Sequence, residues 1–148
     1  MQASTHNQRK YGLVGNPLSH SFSKKYFTGK FLKENIRDTI YELYETAEIG
    51  TLADIVNSQE ELKGLNITIP FKETVIPFLD ELDETAKAVG AVNTIKIIRT
   101  DKTLLVGYNT DVYGFQQSIK PFLESAHERA LILGTGGASK AVEYVYIV

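Results

Sequence analysis

Short apolar runs alternate with amphipathic helical patterns along the first half of the chain. YGLVG at residues 11–15 is strand-like, and aromatic and leucine side chains then recur at helical spacing over residues 26–32. TIYELYET at residues 39–46 is rich in β-formers, and Leu52, Ile55 and Val56 suggest one face of a second helix. The pattern therefore predicts strands that alternate with helices.

The alternation continues through the second half. LNITIP at residues 65–70 predicts a strand that ends at Pro70, and residues 73–89 carry helix formers interrupted by Pro77. Residues 91–99 and 103–109 read as two strands joined by a hairpin turn. Residues 112–123 predict a helix broken near Pro121, and RALILG at residues 129–134 predicts a fully apolar strand.

This order predicts an α/β fold with a mainly parallel mixed sheet flanked by helices. A parallel connection needs a crossover of helical length, and the pair around Thr100 is expected to run antiparallel. In such sheets, ligands bind outside the carboxyl ends of the strands. Candidate functional residues should therefore be sought where the strands end.

Composition narrows the class of protein. The 148 residues are 43% hydrophobic and 23% charged, which is typical of a globular protein. The net charge of −2 gives no argument for a nucleic-acid or membrane partner. The polar amino terminus and the lack of a long apolar run predict a cytoplasmic location. Without cysteine, catalysis would use oxygen and nitrogen groups, and no metal site is predicted.

Polar clusters follow several predicted strands. GNPLSHSFS at residues 15–23 places Ser21 and Ser23 before a helix, where they could bind an anion or simply form a turn with a serine cap. Asn66 and Thr68 share one face of their strand, and Lys72 comes just after its end. Taken alone, this lysine is more often a solvated surface charge.

Two further clusters contain an amide and a carboxylate. Asn93 in GAVNT lies between a helix and a strand, where an amide can close the turn. Asp111 in GYNTDVYG lies before a helix, where an aspartate often serves as the cap. Neither residue alone indicates a function.

A glycine-rich turn follows the last predicted strand. LILGTGGAS at residues 131–139 has the strand, turn and helix order that begins a dinucleotide-binding unit. Glycines allow a pyrophosphate to approach the backbone closely, and its charge is favourable at the start of a helix. Ser139 stands where the third glycine of the usual pattern would be.

In this order and spacing, GNPLSHSFS, NITIPFK, GAVNT, YNTDVYG and LGTGGAS resemble the shikimate dehydrogenase family. The resemblance implies NADPH-dependent reduction of 3-dehydroshikimate to shikimate in aromatic amino acid biosynthesis. It also implies an oxidoreductase with a Rossmann-type nucleotide domain beside the substrate domain. Lys24 stands where family members usually have a proline, a change that affects only helix initiation.

The resemblance also implies roles for individual residues. Lys72 would be the catalytic lysine, with Asp111 orienting it and the substrate. The substrate would be bound by Ser21, Ser23, Thr68 and Asn93, the two serines holding its carboxylate. The NADP diphosphate would be bound by Gly134, Gly136, Gly137, Ala138 and Ser139.

The resemblance divides the chain into two parts. Residues 1–110 would form the shikimate-binding catalytic domain, and residues 111–148 a linking helix and the start of a truncated NADP-binding Rossmann domain. We expect a fragment with little activity, whose unpaired sheet edges could lead to self-association.

Two alternative functions stay open at this point. One is the quinate/shikimate dehydrogenase group, in which NAD can be preferred. The other is a non-catalytic ligand-binding or assembly module, although binding alone does not require a lysine placed for proton transfer.

Overall fold

Six strands among the described residues form one mixed sheet. The computed structural model describes residues 8–125 and 127–147. The strand order is β2-β1-β3-β5-β6-β4. The strands are β1 (Arg9–Gly15), β2 (Thr39–Glu45), β3 (Leu62–Ile67), β4 (Glu81–Leu82), β5 (Thr94–Arg99) and β6 (Thr103–Tyr108).

Three strand pairs are parallel and two are antiparallel. β1 pairs in parallel with β2 and β3, and β4 pairs in parallel with β6. The hairpin predicted around Thr100 is confirmed by the antiparallel β5–β6 pair. β3 and β5 are also antiparallel, which the sequence did not predict. The end of β3 therefore lies beside the start of β5, so that Asn66 is opposite Thr94.

Helices pack on both faces of this sheet, which confirms the predicted α/β fold. They are α1 (Ser23–Lys33), α2 (Leu52–Asn57), α3 (Glu84–Val89), α4 (Asp111–Ile119) and α5 (Gly137–Ile147). In the described residues, no helix is long and apolar enough to cross a membrane.

The two faces of the sheet have separate apolar clusters because successive strand residues point to opposite sides. Leu13 and Tyr41 pack with Phe27 and Phe31 of α1. Their neighbours on the opposite face join the larger core, which includes Val14, Leu52, Val56, Leu65, Ile67 and Ile95. The strand ends that carry the polar clusters are thereby fixed between two packed layers.

The helix predicted over residues 73–89 is wrong over most of its length. Only Glu84–Val89 is α-helical, preceded by a 3₁₀ turn at Ile76–Phe78 and by β4. The main chain at Asp80 and Asp83 bonds instead to carbonyls of β6. The Asp83 carboxylate accepts a hydrogen bond from Ala86 N–H at 2.8 Å, and Gly90 ends the helix with a φ of 69°.

The strand predicted over residues 129–134 is also absent. These residues have no assigned secondary structure, and no other strand in the described part of the chain pairs with them. Leu131 and Leu133 are 85% and 89% exposed. An apolar run becomes a strand only where a neighbouring strand supplies hydrogen bonds and a surface on which to pack.

Candidate active site

The main chain around Lys72 is fixed on both sides. The loop after β3 turns where Phe71 N–H donates to the Thr68 carbonyl at 2.9 Å, and the Phe71 side chain is buried in the core. Val92 N–H donates to the Lys72 carbonyl at 2.7 Å. This arrangement joins the Lys72 loop to the segment that carries Asn93.

Three predicted site residues form one hydrogen-bonded cluster. Lys72 Nζ lies 2.7 Å from Asp111 Oδ2, and Asn93 Nδ2 donates to Asp111 Oδ1 at 2.9 Å. The side chains of Lys72 and Asp111 are 16% and 33% exposed. The carboxylate thus holds the ammonium group at a site that solvent or a ligand can still reach.

Asp111 is the first residue of α4, but its carboxylate does not cap that helix. Asn109 has this role, because its Oδ1 accepts from the backbone N–H groups of Asp111 and Val112 at 3.0 and 3.3 Å. Asn109 is itself buried and donates to the Ala91 carbonyl at 2.9 Å. The carboxylate of Asp111 is therefore available to bind Lys72 and Asn93.

Asn93 both closes a turn and contributes to the cluster. Its Oδ1 accepts from Thr110 N–H at 2.9 Å, which joins the start of β5 to the residues after β6. Its Nδ2 donates to Asp111. The structural and the functional interpretations of this amide are therefore compatible.

Asn66 extends the cluster, although the sequence had only placed it on the strand face shared with Thr68. Asn66 Oδ1 accepts from the Tyr41 hydroxyl at 2.7 Å, and Asn66 Nδ2 donates to Thr94 Oγ1 at 3.2 Å. Burial raises the pKa of Tyr41, with a smaller opposing effect from the nearby Ser23 hydroxyl. The alternation of polar residues in LNITIP was the signal that could have identified Asn66.

Thr68 lies against the end of β1. Its N–H donates to the Val14 carbonyl at 3.0 Å, and Asn16 N–H donates to the Ile69 carbonyl at 3.0 Å. A Cβ atom on Gly15 would collide with the Thr68 methyl group, so a glycine permits this close approach. The loop that leads to Ser21 and Ser23 therefore begins beside Thr68.

The two serines lie at the start of α1. Leu18 is buried and accepts a backbone hydrogen bond from Ser21 N–H at 2.9 Å, which anchors the loop. The residue at the cap position is Phe22, which makes no side-chain capping bond, whereas Ser21 Oγ accepts from Ser23 N–H at 3.3 Å, as a turn-forming serine does. Within the described part of the chain, no hydrogen bond joins either serine to Lys72, Asn93 or Asp111.

The glycine turn lies beside Lys72. A Cβ atom on Gly137 would be 2.8 Å from Lys72 Cβ and 3.1 Å from Ala91 Cβ. Lys140, one turn further along α5, pairs with Glu73 at 2.5 Å. The start of α5 is therefore held against the loop that carries the predicted catalytic lysine.

The turn has the properties that a diphosphate requires. Gly134 has a φ of 146°, a conformation that residues with a side chain rarely adopt, and a Cβ there would lie 2.6 Å from Ser139 Oγ. A Cβ at Gly136 would have open space around it. Gly137 begins α5, whose first N–H groups lack helical partners. These residues fit a diphosphate group.

Comparison with known proteins identifies relatives of this chain. Residues 13–95 match the family model described as shikimate dehydrogenase substrate binding domain. Shikimate dehydrogenase (NADP(+)) of Staphylococcus haemolyticus is 43% identical over 137 residues, which are 90% of this chain and 49% of that protein. The Pyrococcus abyssi protein of the same name is 42% identical over 134 residues, with the same two coverages. The chain spans about half the length of these curated relatives.

Solved structures of shikimate dehydrogenases have the same fold. Shikimate dehydrogenase 1 from Peptoclostridium difficile matches with a TM-score of 0.84 and 37% identity, over 95% of this chain and 51% of that chain. The Thermus thermophilus enzyme, solved in complex with NADP(H) and shikimate, matches with a TM-score of 0.80 and 28% identity, over 95% of this chain and 52% of that chain.

Proposed function

Because this chain belongs to the family of shikimate dehydrogenase substrate-binding domains, we propose that it carries the shikimate site and the catalytic lysine of an NADP-dependent shikimate dehydrogenase. The reaction is the reduction of 3-dehydroshikimate to shikimate in aromatic amino acid biosynthesis. The observation that carries the proposal is the 2.7 Å contact between Lys72 Nζ and Asp111 Oδ2, with Asn93 bonded to the same carboxylate.

Lys72 is the proton donor in this proposal. Reduction of a ketone places negative charge on the carbonyl oxygen, and a donor fixed at that oxygen stabilises the transition state. The proton passes from Lys72 Nζ to this oxygen to give the hydroxyl of shikimate. In the oxidative direction, Lys72 accepts the same proton. Asp111 holds Nζ in place through their 2.7 Å contact.

The remaining polar residues bind and orient the substrate. Asp111, Asn93 and Thr68 hold the ring hydroxyls, and Ser21 and Ser23 donate hydrogen bonds to the carboxylate. Support comes from the positions of these residues at the end of the sheet where β1 and β3 terminate. The Thr68 loop contacts the end of β1, and Asn93 bonds to Asp111. Ligands of open α/β sheets bind outside the carboxyl ends of the strands.

NADPH, when bound, supplies the hydride. Gly134, Gly136, Gly137, Ala138 and Ser139 would hold its diphosphate group at the start of α5. The packing of Gly137 against Lys72 supports this assignment, because it puts the glycine turn beside the proton donor. We further propose that the substrate domain ends at residue 110, directly before α4. We also propose a cytoplasmic location and self-association through unpaired strands at the edges of the sheet.

Shikimate binding to the ¹⁵N-labelled chain, followed by NMR, tests the proposed site. Saturable shifts are expected at the amides of Ser21, Ser23, Thr68 and Asn93. Removing a hydrogen-bonding partner of a bound ligand costs about 1–3 kcal/mol. Asn93→Ala should therefore weaken the affinity for shikimate about fivefold or more.

The matched control is Asn57→Ala at the exposed end of α2, which should leave the affinity unchanged. Absence of saturable shifts in the wild-type chain would contradict the proposal. Equal affinities of the Asn93→Ala variant and the wild type would also contradict it.

A further inference from the structure

A line of side-chain hydrogen bonds connects buried Tyr41 to Asp111. The Tyr41 hydroxyl donates to Asn66 Oδ1 at 2.7 Å, and Asn66 Nδ2 donates to Thr94 Oγ1 at 3.2 Å. Thr94 Oγ1 donates to Asn93 Oδ1 at 3.0 Å, and Asn93 Nδ2 donates to Asp111 Oδ1 at 2.9 Å. Lys72 then donates to the other carboxylate oxygen.

Every donor in this line points toward Asp111. A threonine hydroxyl has one proton, and a carboxamide has an accepting and a donating end. Once Tyr41 donates to Asn66 Oδ1, the Asn66 amide group faces Thr94, and the Thr94 proton is directed to Asn93 Oδ1. The orientation of the Asn66 carboxamide is therefore linked, through Thr94, to the Asn93 amide group that donates to the Asp111 carboxylate.

Tyr41 is rigidly held. It is 3% exposed, and its ring stacks on Phe27 with centroids 4.5 Å apart and planes inclined by 13°. It belongs to β2, whereas Asn66 belongs to β3, with β1 between them. Tyr41 is not among the proposed substrate contacts, but its hydroxyl bonds to the carboxamide of Asn66, two strands away.

We propose that Tyr41 is a positioning residue for the shikimate site. Its hydroxyl orients the carboxamide of Asn66 and, through Thr94, supports the carboxamide of Asn93, whose Oδ1 also accepts from Thr110 N–H and whose Nδ2 holds Asp111 toward Lys72. A phenylalanine at position 41 would leave Asn66 Oδ1 without this donor, and the side chains along the line could then adopt other orientations. The effect on shikimate binding rests on the proposed function.

Tyr44 provides a matched control on the same strand. Its hydroxyl donates to Gln59 Oε1 at 2.9 Å, and burial raises its pKa, as it does for Tyr41. The odd spacing of residues 41 and 44 puts their side chains on opposite faces of β2. Tyr44→Phe therefore removes the same chemical group away from the line to Asp111.

The first measurement is the side-chain amide spectrum of Asn93 in the ligand-free chain. Tyr41→Phe should shift these signals, and Tyr44→Phe should not, although each variant loses one tyrosine hydrogen bond. Thermal unfolding of both variants controls for a general loss of stability. Unchanged Asn93 signals in folded Tyr41→Phe would overturn the proposal.

The second measurement is shikimate affinity. Tyr41→Phe should raise the Kd for shikimate about fivefold to tenfold, as expected for loss of a hydrogen bond. Thr94→Val interrupts the same line, so the double variant should bind no more weakly than Thr94→Val alone. Additive losses, or an unchanged Kd in Tyr41→Phe, would overturn this proposal. If the wild-type chain does not bind shikimate, the proposed function fails, and the Asn93 amide signals still decide the role of Tyr41.

Discussion

The sequence predicts a strand both at residues 65–70 and at residues 129–134, but only the first segment contains one. Leu65 is 2% exposed and lies in β3, which pairs with strands on both sides. Leu133 is 89% exposed in a segment without assigned secondary structure. Apolar composition alone therefore does not make a strand, because the neighbouring strands must also be present.

The same contrast separates the two halves of the proposed active site. The substrate side is organised by strand pairing and by side-chain bonds among Lys72, Asn93 and Asp111. The glycine turn is instead held by the packing of Gly137 on Lys72 and by the Lys140–Glu73 ion pair. Changes in the two regions should therefore have very different effects on stability.

The largest expected difference in stability is between two leucine truncations. Leu65→Ala removes a core side chain and should lower the free energy of unfolding by about 2–5 kcal/mol. Leu133→Ala removes an exposed side chain and should change it by less than about 0.5 kcal/mol. Urea denaturation of the 148-residue chain measures both. A loss above about 2 kcal/mol in Leu133→Ala would show that residues 129–134 are packed in solution.

A smaller difference is expected between two glycine substitutions in the turn. An added methyl group at Gly137 would lie 2.8 Å from Lys72 Cβ, and such overpacking typically costs about 1–3 kcal/mol. Helix propensity offsets up to about 1 kcal/mol of this cost. Gly137→Ala should therefore be destabilising by about 1 kcal/mol in urea denaturation.

Gly136→Ala is the control for this position, since a methyl group there would have open space. Its free energy of unfolding should stay within about 0.5 kcal/mol of the wild type. If Gly137→Ala were as stable as Gly136→Ala, the contact between the glycine turn and Lys72 would not exist in solution.

The motifs in the sequence predicted that Asn93 and Asp111 share a site with Lys72, and their three side chains form one hydrogen-bonded cluster. Asn93 was a candidate at the junction of a helix and a strand, and Asp111 was a candidate at the end of a strand. Their alternative roles could be weighed only with the structure. Asn109 turned out to be the residue that caps α4. Local sequence could not decide between Asn109 and Asp111, because both amide and carboxylate oxygens accept hydrogen bonds from the first turn of a helix.

The contribution of Tyr41 could not be predicted because it depends on strand order. Residues 41 and 66 come together only because β2 and β3 lie on either side of β1. The short strand β4 was missed for a similar reason, since it pairs with β6, which follows it in the chain. The residues around Pro77 favour a helix locally, but the pairing of β4 with β6 outweighs that preference.

The most direct test of the proposed catalytic role is NADP-linked oxidation of shikimate by a chimera. In this chimera, the chain replaces the matched half of the Staphylococcus haemolyticus relative. Lys72→Met should lower kcat about 10²- to 10⁴-fold, the range typical for loss of a general acid or base. Lys87→Met, which removes an exposed lysine paired with Glu84, should leave kcat unchanged. A chimera whose Lys72→Met variant binds shikimate normally and retains most of its turnover would contradict the catalytic role of Lys72.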